Sequence, residues 1–245
     1  MHKGLKAYFD TNSASDSVYV QVQKSYPELN PHMLLCDIIG LFFAGNDTSS
    51  HTLSSLLFNV KKHSDVFTKL QAKISASISK PSDITKEWVD SNDFLHYVVK
   101  ESLRYDSPAP ASLEYISKDD FEICNVPINK GHKMFVSIHG LHNDPTQYKE
   151  SSKFIPDRFD PESEYFLLPQ NSQGKARSPH AFMGFGTGLR NCPGKSLAML
   201  EIKVIASYIL SRFNYHLDHE QLANKDIKFA GVSQFQLKIS PQRKN

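Results

Sequence analysis

Cysteine is scarce and unpaired in this sequence. Its three cysteines, Cys36, Cys124 and Cys192, are far apart and odd in number. That argues against a disulfide framework and for a reducing compartment. No histidine pair stands at zinc spacing from them, so a zinc site has little support. Long apolar runs are missing as well. The most apolar stretch, Met33–Ala44, is too short to span a bilayer and contains Asp37. It reads as a buried helix. The N-terminus, Met1-His2-Lys3-Gly4-Leu5-Lys6, leads into a polar stretch, so neither a signal peptide nor an anchor is expected there and the chain as given reads as intracellular. An excess of one charge is also lacking. The net charge is +2, and no basic run is interleaved with aromatics, so no nucleic-acid partner is expected. No glycine fingerprint for a flavin or nicotinamide occurs.

What remains is an ordinary folded composition, with 40% hydrophobic and 22% charged residues in 245. The length suits one large domain or two modest ones. Residues 1–29 are polar and read as partly ordered at best. Asn30-Pro31 is a helix start, and the helical pattern then runs to about Lys62. Further helices are expected over Ser64–Ile78 and from Asp93 to about Arg104, where Ser107-Pro108-Ala109-Pro110 follows. Phe121–Cys124 and Lys133–Ile138 read as short strands flanking the turn signal Asn129-Lys130-Gly131. Residues 143–183 lack periodicity and read as a surface meander. An amphipathic helix is expected over Pro193–Phe213, and a late strand at Phe235, Leu237 and Ile239. The fold class expected is therefore mainly α with small β-sheets.

Two segments carry chemistry. In Phe185-Gly186-Thr187-Gly188-Leu189-Arg190-Asn191-Cys192-Pro193-Gly194, a cysteine stands directly ahead of a helix and behind a glycine-rich loop. The helix would stabilise a thiolate with its positive end. Pro193 suits a first helical position. Gly186 and Gly188 allow positive φ and close approach of a flat ligand. Arg190 presents a fork suited to a carboxylate, or else it is a solvated loop arginine. The second segment, Ala44-Gly45-Asn46-Asp47-Thr48, puts a glycine inside a helix at a cost of about 1 kcal/mol against alanine. Close approach of a planar ligand is one reason for it, with Asp47 and Thr48 as an acid and a hydroxyl able to relay protons. A kinked helix whose threonine bonds back to a carbonyl is the other. Glu101 and Arg104 share a helix face, as an exposed ion pair or a partly buried one. His139 and His142 precede a turn and read as packing residues.

The cysteine segment resembles the ligand loop of the cytochrome P-450 family, F-x-x-G-x-R-x-C-x-G, at all five fixed positions; chance would give this at about 10⁻⁴. Ala44–Thr48 is similar to the family's A-G-x-D/E-T motif. Glu101 and Arg104 are similar to its E-x-x-R pair, and Phe154–Phe159 to its F-x-P-x-R-F segment. The resemblance covers about residues 30–240. It implies the C-terminal half of a cytochrome P-450 domain over 30–245, incomplete because the N-terminal half of the fold is missing. It implies haem b (iron protoporphyrin IX), with Cys192 as the axial metal ligand. It implies cofactor contacts from Arg190, Phe185, Gly186, Pro193, Gly194, Ala198, Ala44 and Gly45, and catalytic roles for Asp47 and Thr48. Glu101, Arg104 and Arg158 are implied as a structural triad. Tyr115 stands where the family often has an arginine or histidine for a propionate. The reaction implied is monooxygenation of a small apolar substrate by O2, with electrons from a separate NADPH-dependent reductase. The location implied for a full-length parent is the cytosolic face of the endoplasmic reticulum, with membrane contact only through the missing N-terminal anchor. A non-catalytic haem-binding fragment, or a thiolate-haem isomerase or peroxygenase on the same scaffold, are the alternatives.

Overall fold

The computed structural model describes residues 17–169 and 175–217, and the backbone of three short strands beyond them. The chain divides into two compact units, Met1–Thr48 and Ser49–Asn245. The first unit holds helix α1, Val18–Ser25, and the start of α2, Pro31–Lys62. Helix α1 lies inside the segment expected to be poorly ordered. The Ser17 hydroxyl caps it by accepting from Val20 N–H at 3.3 Å. The start of α2 follows the sequence signal: Asn30 Oδ1 accepts from His32 N–H at 2.9 Å and from Met33 N–H at 3.3 Å. Leu41, Phe42 and Phe43 on this helix are exposed, so its first half is not the buried segment its composition suggests.

The second unit is built on the end of α2, with α3 (Ser64–Ser75), α4 (Lys86–Ser91), α5 (Asp93–Tyr105), α6 (Ile138–His142) and α7 (Lys195–Arg212). Its core joins Leu56 and Val60 of α2, Leu70 and Ile74 of α3, Val98 and Val99 of α5, and Ile202 and Leu210 of α7. Each such side chain contributes about 1.5–3 kcal/mol when fully buried. Helix α3 is shorter than expected, although Ile78 just beyond it is buried. Helix α5 starts at the buried cap Asn92, whose Oδ1 accepts from Leu95 N–H at 3.1 Å. Tyr215 closes the core from the far end, its hydroxyl donating to Leu57 O at 2.7 Å.

Helix α7 begins at Lys195 with Gly194 at its cap, so Pro193 precedes it and is not its first residue. It is also apolar on more than one face. Met199, Ile202, Ala206 and Leu210 are buried, yet Leu197, Ile205 and Tyr208 are exposed. The buried Lys203 reaches back to α4, donating to Val89 O at 3.1 Å.

The two expected strand segments do not pair with each other. β2 (Phe121–Ile123) pairs antiparallel with β3 (Val126–Ile128), and β1 (Tyr115–Ile116) with β4 (Lys133–Met134). Cys124 and Asn125, with φ of 50° and 63°, make the two-residue turn between β2 and β3. Gly131 does turn the chain, at φ 86°, but between β3 and β4, which do not pair. Ile138 opens α6 and is not strand. Two further ladders join β5 (Phe213–Asn214) to β8 (Gln242–Arg243) and β6 (Lys228–Phe229) to β7 (Val232–Ser233). The strand expected at Phe235, Leu237 and Ile239 lies outside the described residues. Within the expected meander, residues 143–169 and 175–183 form an irregular path with short 3₁₀ turns. Among the described residues no helix is long and apolar enough to cross a membrane.

Candidate functional site

The meander has almost no regular secondary structure to satisfy its backbone, so buried side chains must do so. Glu101, Arg104 and Arg158 are all fully buried. Glu101 Oε1 accepts from Arg104 Nη2 at 2.8 Å, Ile155 N–H at 2.7 Å and Arg158 Nε at 3.2 Å. Its Oε2 accepts from Arg104 Nε at 2.8 Å. Arg104 then donates to the carbonyls of His142 at 2.8 Å and of Ser151 and Lys153 at 2.9 Å. Arg158 donates to the carbonyls of Lys149 and Glu150. Burial pulls the Arg158 guanidinium below its usual range, and the Glu101 charge works against that shift. Of the two sequence readings of Glu101 and Arg104, the buried pair is the one found.

Sequence reasoning missed two members of this network, Arg177 and Tyr148, and gave a third, His142, only a packing role. Arg177 donates to Tyr165 O at 2.7 Å and to Arg158 O at 2.5 Å, with its guanidinium 4.9 Å from the Tyr148 ring centroid. Buried Tyr148 donates its hydroxyl to Ala181 O at 2.9 Å, and burial pushes its phenol up to about 12. His142 Nε2 accepts from Met183 N–H at 3.0 Å. A non-periodic segment offers no spacing signal for such contacts. His142 is thus a packing residue, as expected, and is completely buried.

The cysteine segment follows directly. Gly186 and Gly188 take φ of 72° and 67°, conformations that favour glycine. The loop doubles back so that Cys192 N–H donates to Phe185 O at 2.8 Å. Lys195 N–H reaches Cys192 O at 3.4 Å and Ala198 N–H reaches Gly194 O at 2.8 Å, carrying the turn into α7. Cys192 and Arg190 are exposed, Leu189 between the glycine turn and Arg190 wholly so. Phe185 is half-buried, its ring packed against the core. A methyl group at Gly194 would lie 3.8 Å from Cys192 Sγ, and one at Gly188 would meet nothing within 4 Å. The structure therefore brings Phe185, Gly186, Arg190, Cys192, Pro193, Gly194 and Ala198 into one feature. The thiol stands at its open side.

Ala44, Gly45, Asp47 and Thr48 form the other feature, in the first unit. All four are exposed on a helix that runs through without a break. Thr48 Oγ1 donates to Ala44 O at 2.8 Å, the back-bond of the alternative sequence reading. Open space faces Gly45. Tyr115 is about half exposed on β1.

The chain is mainly helical with small antiparallel ladders, and it presents an exposed thiol on a glycine turn ahead of a helix. The comparisons give its family. The model of the family described as Cytochrome P450 matches residues 10–242. The chain is similar to cytochrome P450 3A25 of Mus musculus, 31% identical over 78% of this chain and 36% of that protein. It is similar to cytochrome P450 3A7 of Homo sapiens, 28% identical over 93% of this chain and 42% of that protein. With cytochrome P450 3A19 of Capra hircus aegagrus it shares 34% identity over 71% of this chain and 74% of that protein. The chain belongs to the cytochrome P450 family. It spans 36% and 42% of the length of the first two relatives. The family's haem fits the cysteine feature. An exposed thiol is a soft ligand for iron, an exposed guanidinium suits a carboxylate, and Leu189 and Leu197 offer exposed apolar contact.

Proposed function

We propose that this chain carries the haem-thiolate centre of a monooxygenase acting on a small apolar substrate. The observation that carries the reading is the presentation of Cys192: exposed, fixed by its amide to Phe185 O at 2.8 Å, and set at the start of α7. Haem would supply the oxygen chemistry, in which one atom of O2 enters the substrate and the other leaves as water. The rest falls to side chains. Cys192 would hold the iron through its sulfur as a thiolate. Arg190 pairs with a propionate. Gly186, Pro193, Gly194 and Ala198 leave room for a flat macrocycle beside the sulfur, and Phe185 holds the loop to the core. Ala44 and Gly45 would present an open helix surface, and Thr48 Oγ1 would give its proton to reduced oxygen and be resupplied through Asp47. Electrons come from a separate NADPH-dependent reductase, at the cytosolic face of the endoplasmic reticulum. The exposed Phe42 and Phe43 beside the Ala44–Thr48 segment support an apolar substrate.

The reduced carbon monoxide complex tests this reading. The haem-loaded protein is expected to show the red-shifted Soret band of thiolate ligation. Cys192→Ser loses it, whereas Cys36→Ser and Cys124→Ser keep it. An unshifted band in the haem-loaded parent overturns ligation by Cys192.

A further inference from the structure

We propose that His142 is a positioning residue that relays the order of the buried Glu101–Arg104 pair to the Cys192 loop, and does so only as a neutral imidazole. The inference rests on the thiolate reading above for its functional meaning. Its geometry is independent of that reading.

The relay is a chain of hydrogen bonds with His142 at its centre. Arg104, held by both oxygens of Glu101, donates to the His142 carbonyl at 2.8 Å and so fixes the backbone at the end of α6. The same residue then uses its ring: Nε2 accepts from Met183 N–H at 3.0 Å. Met183 O in turn accepts from Gly186 N–H at 3.0 Å, and Phe185 O accepts from Cys192 N–H at 2.8 Å. Packing fixes the ring as tightly as the bonds do. It stacks on Phe182 at 5.3 Å and 11°, and Phe182 meets the edge of Phe159 at 5.1 Å. Phe182 is itself closely flanked, since a methyl group at Gly184 would come within 2.7 Å of its ring. The loop therefore leaves the core at one fixed point, and His142 sets that point.

The acceptor role demands that Nε2 carry no proton, so the hydrogen of the neutral ring sits on Nδ1. Nδ1 has no partner of hydrogen-bonding geometry among the described residues, although the carbonyls of Leu103 and Arg104 favour a proton on the ring. The charged or titratable groups that face the ring are Arg104 from α5 and His139 from α6. Lys100 from α5 stands over Phe182 at 5.4 Å. None of these is an anion, and Glu101 is taken up by the two arginines. Burial first, then Arg104, push the imidazole down to about 4. The folded value lies below the ordinary 6.5. The contribution of His142 is thus complete above pH 6.5 and is lost as pH falls through about 4. A proton on Nε2 would set two donors face to face and release Met183.

Two variants test the relay in the haem-loaded chain, by amide exchange of residues 183–192 and by the carbon monoxide spectrum across pH 7 to 4. His142→Gln carries an amide oxygen to about the place of Nε2 and cannot titrate. It is expected to keep both the slow exchange and the shifted band, and to hold that band at acid pH where the parent loses it. His142→Leu removes the acceptor. It is expected to speed exchange at Met183 about tenfold and to give a larger share of unshifted band at pH 7. Unchanged exchange in His142→Leu overturns the proposal, as does acid loss of the band in His142→Gln at the parent's pH. If His142→Leu does not fold, His142→Gln decides alone. A parent without a shifted band defeats the thiolate reading, while the exchange results still judge His142.

Discussion

Glu101→Gln changes one charge and almost no volume, at the point on which the meander hangs. In the parent, one carboxylate accepts four hydrogen bonds within 3.2 Å, from Arg104 twice, from Arg158 and from the Ile155 amide. A glutamine whose oxygen takes the Oε1 place keeps three acceptor contacts but turns an NH2 toward Arg104 Nε. Two guanidiniums then remain fully buried with no counter-charge. Removing one partner from a buried ion pair costs about 3–5 kcal/mol. In a unit of this size 1 kcal/mol moves the melting temperature by about 2–4 °C, so a fall of roughly 6–20 °C is expected. Lys86→Ala is the control. It breaks the exposed Lys86–Asp90 pair, 2.5 Å long on the surface of α4, where solvent screens the charges, and is expected to leave the melting temperature close to that of the parent. Thermal denaturation followed by circular dichroism reads both. A Glu101→Gln variant melting within about 2 °C of the parent would mean that the arginines are held by their carbonyl contacts and that the carboxylate is dispensable.

Thr48→Ala should leave haem loading unchanged and raise the hydrogen peroxide released per product, measured by oxygen uptake against product formed; unchanged coupling removes Thr48 from proton delivery. Its stability effect should be small, because alanine is the better helix former and the bond it loses, to Ala44 O, is exposed. In the cysteine loop, Gly186→Ala should cost about 1–2 kcal/mol through its φ of 72°. Gly194→Ala, at φ −83° with its new methyl at ordinary contact distance from Cys192 Sγ, should cost well under that, and melts of equal depth for the two would refute the conformational argument.

Two helix starts were legible because a side chain caps them, whereas the Ser17 and Ser137 caps went unread. Asn30 with Pro31, and Asn92 before Asp93, fix helix starts by local hydrogen bonds that depend on neighbours in the chain. The cysteine loop was legible for the same reason, since its glycines and its turn are local. The start of α7 was not, because a proline two residues ahead of a helix gives the same signal as one at its first position. Strand partners were not legible, because Asn129-Lys130-Gly131 is a true turn that joins non-partners, while the pairing turn uses Cys124, a residue with no turn preference. Glu101 and Arg104 shared a face by spacing. Their depth, and the roles of His142, Tyr148 and Arg177, depend on contacts made across tens of residues, which no local pattern encodes.

The order in which these partners leave the ribosome differs from the order in which they need one another. Glu101 emerges 57 residues before Arg158, and Leu57 emerges 158 residues before the Tyr215 that donates to it. At about 5–20 residues per second, the carboxylate waits about 3–11 s for its second arginine, and the Leu57 carbonyl about 8–32 s for its phenol. Throughout that interval α5 exists without the meander and without the α7 side chains that complete its core. Its apolar side, with Phe94, Val98 and Leu103, is then a surface for holdases or for neighbouring nascent chains.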